Sequence, residues 1–266
     1  MIEPYLSDDA FLADLNSAPA SPDRLDLWWL GQSGFIIQQG VRLCIDPYLS
    51  DSLTRKYENT DKPHVRLSRR VVDPARLGGI SLVISTHAHT DHLDAETLQP
   101  ILANPTNLGA SFIYSQAHEA TVKQRLAPAT PTLHPMNPGD ALTHAGLTIT
   151  AIRAQHGEMP ALGYVIKGKF TVFHAGDGIV YPGLADQLKP FNIDVAILPI
   201  NGKLDNMDGP SAARLAKEIN ALVAIPCHYD MFEFNTASPT AFTQECERLA
   251  QPYVVPKLGE RITLED

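Results

Sequence analysis

The chain has 266 residues, 44% of them hydrophobic, which is enough for one large domain with a substantial core. Its formal net charge of -9 argues against a nucleic-acid partner, because binding to a phosphate backbone needs a basic face. We therefore expect a single domain over residues 1–266 that acts on small molecules.

The start of the chain and its cysteines indicate where the protein works. Residues 1–5 have no basic region leading into an apolar stretch, and no apolar run is long enough to cross a bilayer. The three cysteines are odd in number and far apart, which does not suggest a disulfide framework. Cys44 and Cys227 lie in apolar runs typical of buried thiols. We expect a cytoplasmic protein without a membrane partner.

Short apolar runs separated by glycine turns predict strands in the first part of the chain. These strands cover residues 25–30, 34–38, 41–45 and 80–86. Between the third and the fourth, residues 51–76 are predicted to be irregular and contain most of the local basic side chains. A helix is expected after Asp91.

The second part of the chain alternates strands with amphipathic segments. Strands are predicted over residues 111–114, 147–154, 163–166, 170–174, 193–200, 222–226 and 261–264. Helices are predicted over residues 116–126, 211–220 and 239–250, with Asp208 or Ser211 as the N-cap of the second. Clusters of strands with interspersed helices predict an α/β fold with two sheets inside and helices outside.

The block of residues 87–92 carries three histidines and one aspartate directly after a predicted strand. Residues two apart at a strand end project to the same side, so His87 and His89 are placed to bind one cation together. Asp91 and His92 follow where the chain turns and are placed to face a second cation. Imidazole and carboxylate groups are ligands of zinc, manganese and iron. The alternative is a polar loop with solvated histidines.

Four further metal-competent residues lie at the ends of other predicted strands, where loops present side chains from a rigid scaffold. They are Asp46, His156, Asp177 and His228. Taken singly, each histidine fits a surface or capping position and each aspartate fits a turn. Their recurrence at strand ends is what makes them candidate ligands.

With these residues, the chain resembles the metallo-β-lactamase fold superfamily, and within it the UlaG-like (L-ascorbate-6-phosphate lactonase-like) branch. The matching segments are residues 29–35, 46–52, 87–92, 156–157, 175–177 and 226–232. They extend over most of the chain. The resemblance implies a four-layer αββα sandwich.

The resemblance also implies two divalent metal ions. Manganese or zinc is expected, and iron is the alternative. By position, His87, His89 and His156 would bind the first ion. Asp91, His92 and His228 would bind the second. Asp177 would bridge the two ions, and Asp46 would support the ligand block from behind.

The implied reaction is hydrolysis by a metal-activated hydroxide, most readily of a lactone, including a phosphorylated sugar lactone. Asp91 and Asp177 are the expected catalytic residues. Substrate contacts are hypothesised for Arg66, Lys203 and Tyr229, which suit an anionic small molecule. Relatives in this branch often assemble, which leaves a homo-oligomer open. The loop at residues 201–208 is shorter than is usual in the branch, so substrate preference is expected to differ.

Three other functions stay open. A phosphodiesterase acting on a small cyclic phosphodiester would use the same two-metal site. A redox di-iron protein is disfavoured, because His89 stands where such relatives carry an acidic ligand. A non-catalytic metal-binding module would be favoured by missing ligands, and every ligand position here is filled.

Overall fold

We describe the protein from a computed structural model that covers residues 1–265. Within this range thirteen strands form two mixed sheets. The first sheet has seven strands in the order β13-β1-β2-β3-β4-β5-β6. Their bounds are β1 Arg24–Gly31, β2 Gly34–Gln39, β3 Val41–Ile45, β4 Ile80–Ile84, β5 Ser111–Ser115, β6 Thr132–Met136 and β13 Arg261–Glu265. The pairs β3–β4, β4–β5 and β5–β6 are parallel, whereas the pairs β13–β1, β1–β2 and β2–β3 are antiparallel.

The second sheet has six strands in the order β12-β11-β10-β9-β8-β7. Their bounds are β7 Ala141–His144, β8 Leu147–His156, β9 Met159–Lys167, β10 Thr171–His174, β11 Val195–Pro199 and β12 Val223–Cys227. The hairpins β7–β8 and β8–β9 and the pair β9–β10 are antiparallel, whereas β10, β11 and β12 run parallel. The parallel pairs need crossover connections, which carry helices.

Seven α-helices lie among residues 1–265, in the connections and near the N-terminus. Their bounds are α1 Asp8–Ser17, α2 Ser52–Lys56, α3 Ala95–Ala103, α4 Glu119–Leu126, α5 Leu184–Leu188, α6 Gly209–Glu218 and α7 Thr240–Leu249. Helix α4 contacts β5 of the first sheet, and α6 contacts β11 and β12 of the second. One continuous apolar core joins the two sheets and the helices. The result is the α/β sandwich, with helices outside two sheets, that the sequence predicts.

Most predicted elements are present, and the differences have local causes. Helix α1 and strands β6 and β7 were missed, because few of their side chains are buried and the apolar periodicity is weak. Strand β8 continues to His156, two residues past its predicted end, since its pairing with β9 extends to His156. The segment predicted to be irregular contains the short helix α2. Asp208 is the N-cap of α6, where its carboxylate accepts from the amide of Ser211.

The cysteines and the helices can be compared with the expectations of free thiols and of no membrane-spanning segment. Cys44, Cys227 and Cys246 are all free thiols in buried positions. Burial raises the pKa of the Cys227 thiol well above its usual value, so it stays protonated at neutral pH. Among residues 1–265, we find no helix with the length and apolar character that a bilayer crossing requires.

Candidate metal centre

The histidine block folds into a tight turn directly after β4. The hydroxyl of Ser85 donates to the carbonyl oxygens of His87, at 3.1 Å, and His92, at 2.9 Å, which ties the two ends of the turn together. The amide of Leu93 donates to the carbonyl of His89 at 2.9 Å. A short hydroxyl side chain at the strand end therefore sets the shape of the block.

The first group of candidate ligands brings three imidazoles together. His89 Nδ1 lies 2.9 Å from His87 Nε2 and 3.1 Å from His156 Nε2. His87 and His89 come from the turn after β4, whereas His156 ends β8 in the other sheet. The opposite nitrogen of His156, Nδ1, lies 3.2 Å from the carbonyl oxygen of Asp205, which leaves Nε2 for the cluster. We call His87, His89 and His156 the first triad.

The second group combines a carboxylate and two imidazoles. Asp91 Oδ2 lies 3.7 Å from His92 Nε2 and 3.8 Å from His228 Nε2. His228 follows β12, at the far end of the second sheet from β8. Both histidines are fully buried. We call Asp91, His92 and His228 the second triad.

Asp177 lies between the two triads. Its Oδ2 is 3.4 Å from His92 Nε2, 3.3 Å from His228 Nε2 and 3.9 Å from His156 Nε2. The loop that carries it turns at Gly176, where φ is 62° and a β-carbon would lie 2.8 Å from the carbonyl oxygen of Leu162. Glycine is required at this position for the loop to bring the carboxylate to both triads.

Asp46 and Thr86 support the ligands from behind. The Asp46 carboxylate is fully buried, accepts from the amide and hydroxyl of Thr86, and lies 2.7 Å from His92 Nδ1. The Thr86 hydroxyl is also 3.0 Å from His87 Nδ1. Partners at Nδ1 fix the orientation of both rings and leave each Nε2 facing the cluster.

The pKa values of the clustered histidines favour cation binding. Burial lowers the pKa of His87 well below its usual value, and desolvation together with neighbouring imidazoles lowers that of His89 to about 4. Both rings are therefore unprotonated at neutral pH, as a metal ligand must be. Burial opposes protonation of His92, but the carboxylates of Asp177 and Asp46 outweigh it and raise the pKa of His92 well above its usual value. A cation bound at His92 Nε2 would take the place of a proton there.

The donor set fits divalent metal ions. Among residues 1–265, three groups of donor atoms lie close enough to share an ion, and two of them are the first and the second triad; the third comprises His87, His92 and Asp177. His92 Nε2 and Asp177 Oδ1 are buried and have no hydrogen-bond partner among the described residues. Unsatisfied buried polar atoms are costly without a ligand. An all-nitrogen-and-oxygen donor set suits zinc, manganese or iron.

A cavity of about 370 Å³ opens beside the two triads. Its floor includes His89, Asp91, His156 and Asp177. The walls come from four places: the segment around α2, the β8–β9 turn, the loop after β11 and the segment after β12. Their residues include Lys56, Tyr57, Lys62, His64, Glu158, Leu204, Asp205 and Asn235. The volume lies in the range of sites for small molecules.

Comparison with known proteins agrees with this geometry. The family model described as the β-lactamase superfamily domain matches residues 42–229, which include every residue of both triads. A metal-dependent hydrolase of the UPF0173 group from Methanopyrus kandleri is 31% identical over 83% of this chain and 91% of its own length. The chain belongs to the metallo-β-lactamase superfamily. It is a metal-dependent hydrolase by family, and a second UPF0173 hydrolase, from Nanoarchaeum equitans, is 28% identical over 89% of the chain and 98% of its own length.

Solved structures show that the fold of this hydrolase is shared. A metallo hydrolase from the hyperthermophilic archaeon Ignicoccus hospitalis superposes with a TM-score of 0.69 at 25% identity, covering 91% of this chain and 99% of that one. A metallo-β-lactamase fold protein from Bacillus subtilis gives a TM-score of 0.68 at 20% identity, and the match covers 91% of this chain and 100% of that one. The second likeness shows the fold alone.

The residues suggested for substrate binding lie outside the cavity of this hydrolase. The guanidinium of Arg66 is mostly buried and donates to the carbonyl oxygens of Ser50 and Ser68. The ammonium of Lys203 donates to the carbonyl of Phe234 at 3.0 Å. Tyr229 is 2% exposed and stacks on Trp29, with its ring centroid 4.4 Å away. Arg66 and Tyr229 are thus engaged in packing and backbone contacts, whereas Lys203 is exposed beside the cavity residue Leu204. Contact of these three side chains with a substrate stays a prediction.

Other residues of this hydrolase reach the site without having been predicted. Gln32 donates its amide to Asp91 Oδ2 at 2.8 Å. Lys56, Lys62 and His64 line the cavity. The sequence signal for the last three was the basic segment at residues 51–76, from which only Arg66 was named as a substrate contact. The signal for Gln32 was its place in the segment 29–35, which matches the superfamily but to which no role was given.

Proposed function

We propose that this hydrolase opens a lactone that carries an anionic group, such as a phosphorylated sugar lactone, in the manner of the UlaG-like branch. The observation that carries the proposal is the position of Asp177 Oδ2 between the two triads, beside a cavity of about 370 Å³. When bound, two divalent cations lower the pKa of a shared water and polarise the substrate carbonyl. We expect manganese or zinc in these positions.

The side chains of this chain supply orientation and proton transfer. His87, His89 and His156 would hold one cation, and Asp91, His92 and His228 would hold the other. Asp177 orients the attacking water through Oδ2. The water oxygen adds to the lactone carbonyl carbon, and the ring C–O bond then breaks. Asp91 carries the proton from the water to the departing alkoxide, which gives a hydroxy acid.

Charge around the cavity supports an anionic substrate. Four carboxylates line the cavity, from Asp91, Glu158, Asp177 and Asp205. Two divalent cations offset these four charges. The ammonium groups of Lys56 and Lys62 then give the cavity an excess of positive charge that attracts an anion.

A small cyclic phosphodiester is the second candidate substrate. The same two lysines suit its phosphate, and two-metal sites suit displacement at phosphorus. The cavity volume and the net charge of -9 favour a small molecule over a nucleic acid. We prefer a lactone over the phosphodiester as the substrate because the sequence motifs resemble those of the lactonase-like branch.

The test is a substrate screen on protein of known metal content. Purified protein is analysed for bound metals and assayed with neutral lactones, phosphorylated lactones and bis-p-nitrophenyl phosphate. We expect hydrolysis of an anionic lactone, and loss of both bound metal and turnover in His89→Ala and Asp177→Ala. His144→Ala is the matched control, since its ring contacts Ser81 far from the triads. Full turnover by metal-free protein would contradict the proposal, and preference for the phosphodiester would favour the second candidate.

A further inference from the structure

The side-chain amide of Gln32 lies against the second triad. Its Nε2 atom is 2.8 Å from Asp91 Oδ2 and 3.0 Å from His228 Nε2. Gln32 is fully buried. The amide group of Gln32 is thus within hydrogen-bond distance of two of the three residues of the second triad.

The backbone fixes Gln32 in this place. Its carbonyl oxygen accepts from the amide of His228 at 2.9 Å and from the indole of Trp29 at 3.0 Å. Gln32 and His228 both have positive φ angles, 52° and 64°, which side chains other than glycine rarely adopt. Such conformations persist where the surroundings hold them, and they concentrate at functional sites. Gln32 and His228 are therefore held together through both backbone and side chain.

The amide has one atom without a partner. Gln32 Oε1 is buried and makes no hydrogen bond with any residue in the described range 1–265. The oxygen and nitrogen of a glutamine amide exchange places by a half-turn of the amide group. The orientation with nitrogen towards the triad suits unoccupied ligands, because the amide then donates to Asp91 and faces the lone pair of His228 Nε2.

Cation binding reverses this preference. His228 Nε2 has a single lone pair, so once that lone pair binds a cation it no longer accepts from an amide. An amide oxygen at the same place would instead face a positive charge. Neighbouring ligands of an octahedral ion with bonds of about 2.1 Å lie about 3 Å apart. The 2.8 and 3.0 Å separations of the Gln32 head from its two neighbours match that spacing.

We propose that Gln32 turns its amide oxygen to the second triad and is a fourth protein ligand of the cation held by Asp91, His92 and His228. The inference rests on the two-cation site of the proposed function. It makes the coordination of the two cations unequal, with three imidazoles at the first and a mixed set richer in oxygen at the second. Oxygen ligands favour harder cations such as manganese at the second position.

The experiment measures cation affinity and needs no substrate. Metal-free wild type, Gln32→Met and Gln32→Glu are titrated with Mn²⁺ by calorimetry. Methionine keeps the length of the side chain without an amide oxygen, and glutamate supplies a carboxylate oxygen. Gln251→Met is the matched control, because Gln251 is also buried but donates to the carbonyls of Ala221 and Pro252, near the start of β12.

We expect Gln32→Met to weaken one of two Mn²⁺ affinities by on the order of tenfold or more and to leave the other unchanged. Gln32→Glu should regain the lost affinity, and Gln251→Met should match wild type. If Gln32 acted only as a hydrogen-bond donor to Asp91, glutamate would bind as weakly as methionine, which would overturn the proposal. Unchanged affinities in Gln32→Met would overturn it too.

A crystal structure of the Mn²⁺ form gives an independent answer. We expect the amide head at bonding distance from the second ion, and an amide that lies beyond it would contradict the assignment. Wild type that binds fewer than two Mn²⁺ ions would overturn both the ligand and the two-cation site. Wild type that binds two ions but opens no lactone would contradict only the proposed function.

Discussion

Asp46 holds His92 through the ring nitrogen that faces away from the ligand cluster. Asp46 Oδ2 lies 2.7 Å from His92 Nδ1, and both side chains are fully buried. The same carboxylate accepts two hydrogen bonds from Thr86, whose hydroxyl in turn contacts His87. One carboxylate at the end of β3 therefore orients ligands in both triads.

Removing the charge of Asp46 should weaken metal binding. In Asp46→Asn the amide no longer supplies the charge that orients His92, and such losses cost about 10–100-fold in metal affinity. Calorimetric titration of metal-free protein with Mn²⁺ measures the change. Asp26→Asn is the control, since Asp26 is also buried but pairs with Arg24 at the far end of β1. Equal affinities in wild type and Asp46→Asn would show that Asp46 only stabilises the fold.

Metal removal should destabilise the protein, because cations bind the folded ligand cluster and not the unfolded chain. We expect the melting temperature to fall with a chelator and to rise again with Mn²⁺. A cation at 100 times its Kd adds about 2.7 kcal/mol to the free energy of unfolding. In Asp177→Ala the rise should be much smaller, whereas His144→Ala should keep it. Melting curves of the metal-free and metal-loaded proteins measure this change in melting temperature. Identical curves for wild type with and without metal would argue against cation binding.

The lysines of the cavity should select for substrate charge. The ammonium of Lys56 donates to the hydroxyl of Thr90 in the histidine block, and Lys62 lines the same cavity. We expect Lys56→Met with Lys62→Met to raise KM for an anionic lactone by about tenfold, as roughly 1.4 kcal/mol of charge-assisted binding is lost, with little change in kcat. KM for a neutral lactone should not change. Lys123→Met serves as the control, since Lys123 pairs with Glu119 on α4.

An equal rise in KM for neutral and anionic lactones would mean that the two lysines shape the cavity and do not recognise charge.

His174 should make stability depend on pH. Its Nε2 donates to the carbonyl of Ser33 at 2.8 Å and its Nδ1 accepts from the amide of Gly176 at 3.1 Å, so the ring is neutral. Burial lowers the pKa of His174 below its usual value of 6.5. Below about pH 6.5 the unfolded chain binds a proton that the folded protein does not, so the free energy of unfolding falls as the pH falls.

The slope that His174 contributes is at most about 1.4 kcal/mol per pH unit. Urea unfolding of metal-free wild type and His174→Gln between pH 7.5 and 5 measures it. The variant should be less stable at pH 7.5 but should lose less stability on acidification. Parallel pH profiles for the two proteins would rule out His174 as a source of the dependence.

Much of the candidate metal centre could be predicted from the chain because its candidate ligands stand at strand ends. His87, His89, Asp91 and His92 lie within six residues, and their spacing alone brings them to one edge of a sheet. His156, Asp177 and His228 were recognisable by their motifs, although they are far apart in sequence. Two sheets inside and helices outside followed from the alternation of strand clusters and helices, and the four-layer αββα order followed from the family resemblance.

What the sequence determined by itself was the set of ligand types, their placement at strand ends and the fold class, because these depend on local periodicity and motif. Only the tertiary structure decided which polar side chains reach the cavity. Arg66 and Tyr229 satisfy backbone and aromatic partners elsewhere, whereas Lys56 and Gln32 meet the site. That choice depends on how β1, the segment around α2 and the loop after β11 pack around the two sheets, and long-range packing leaves no periodic signal in the chain.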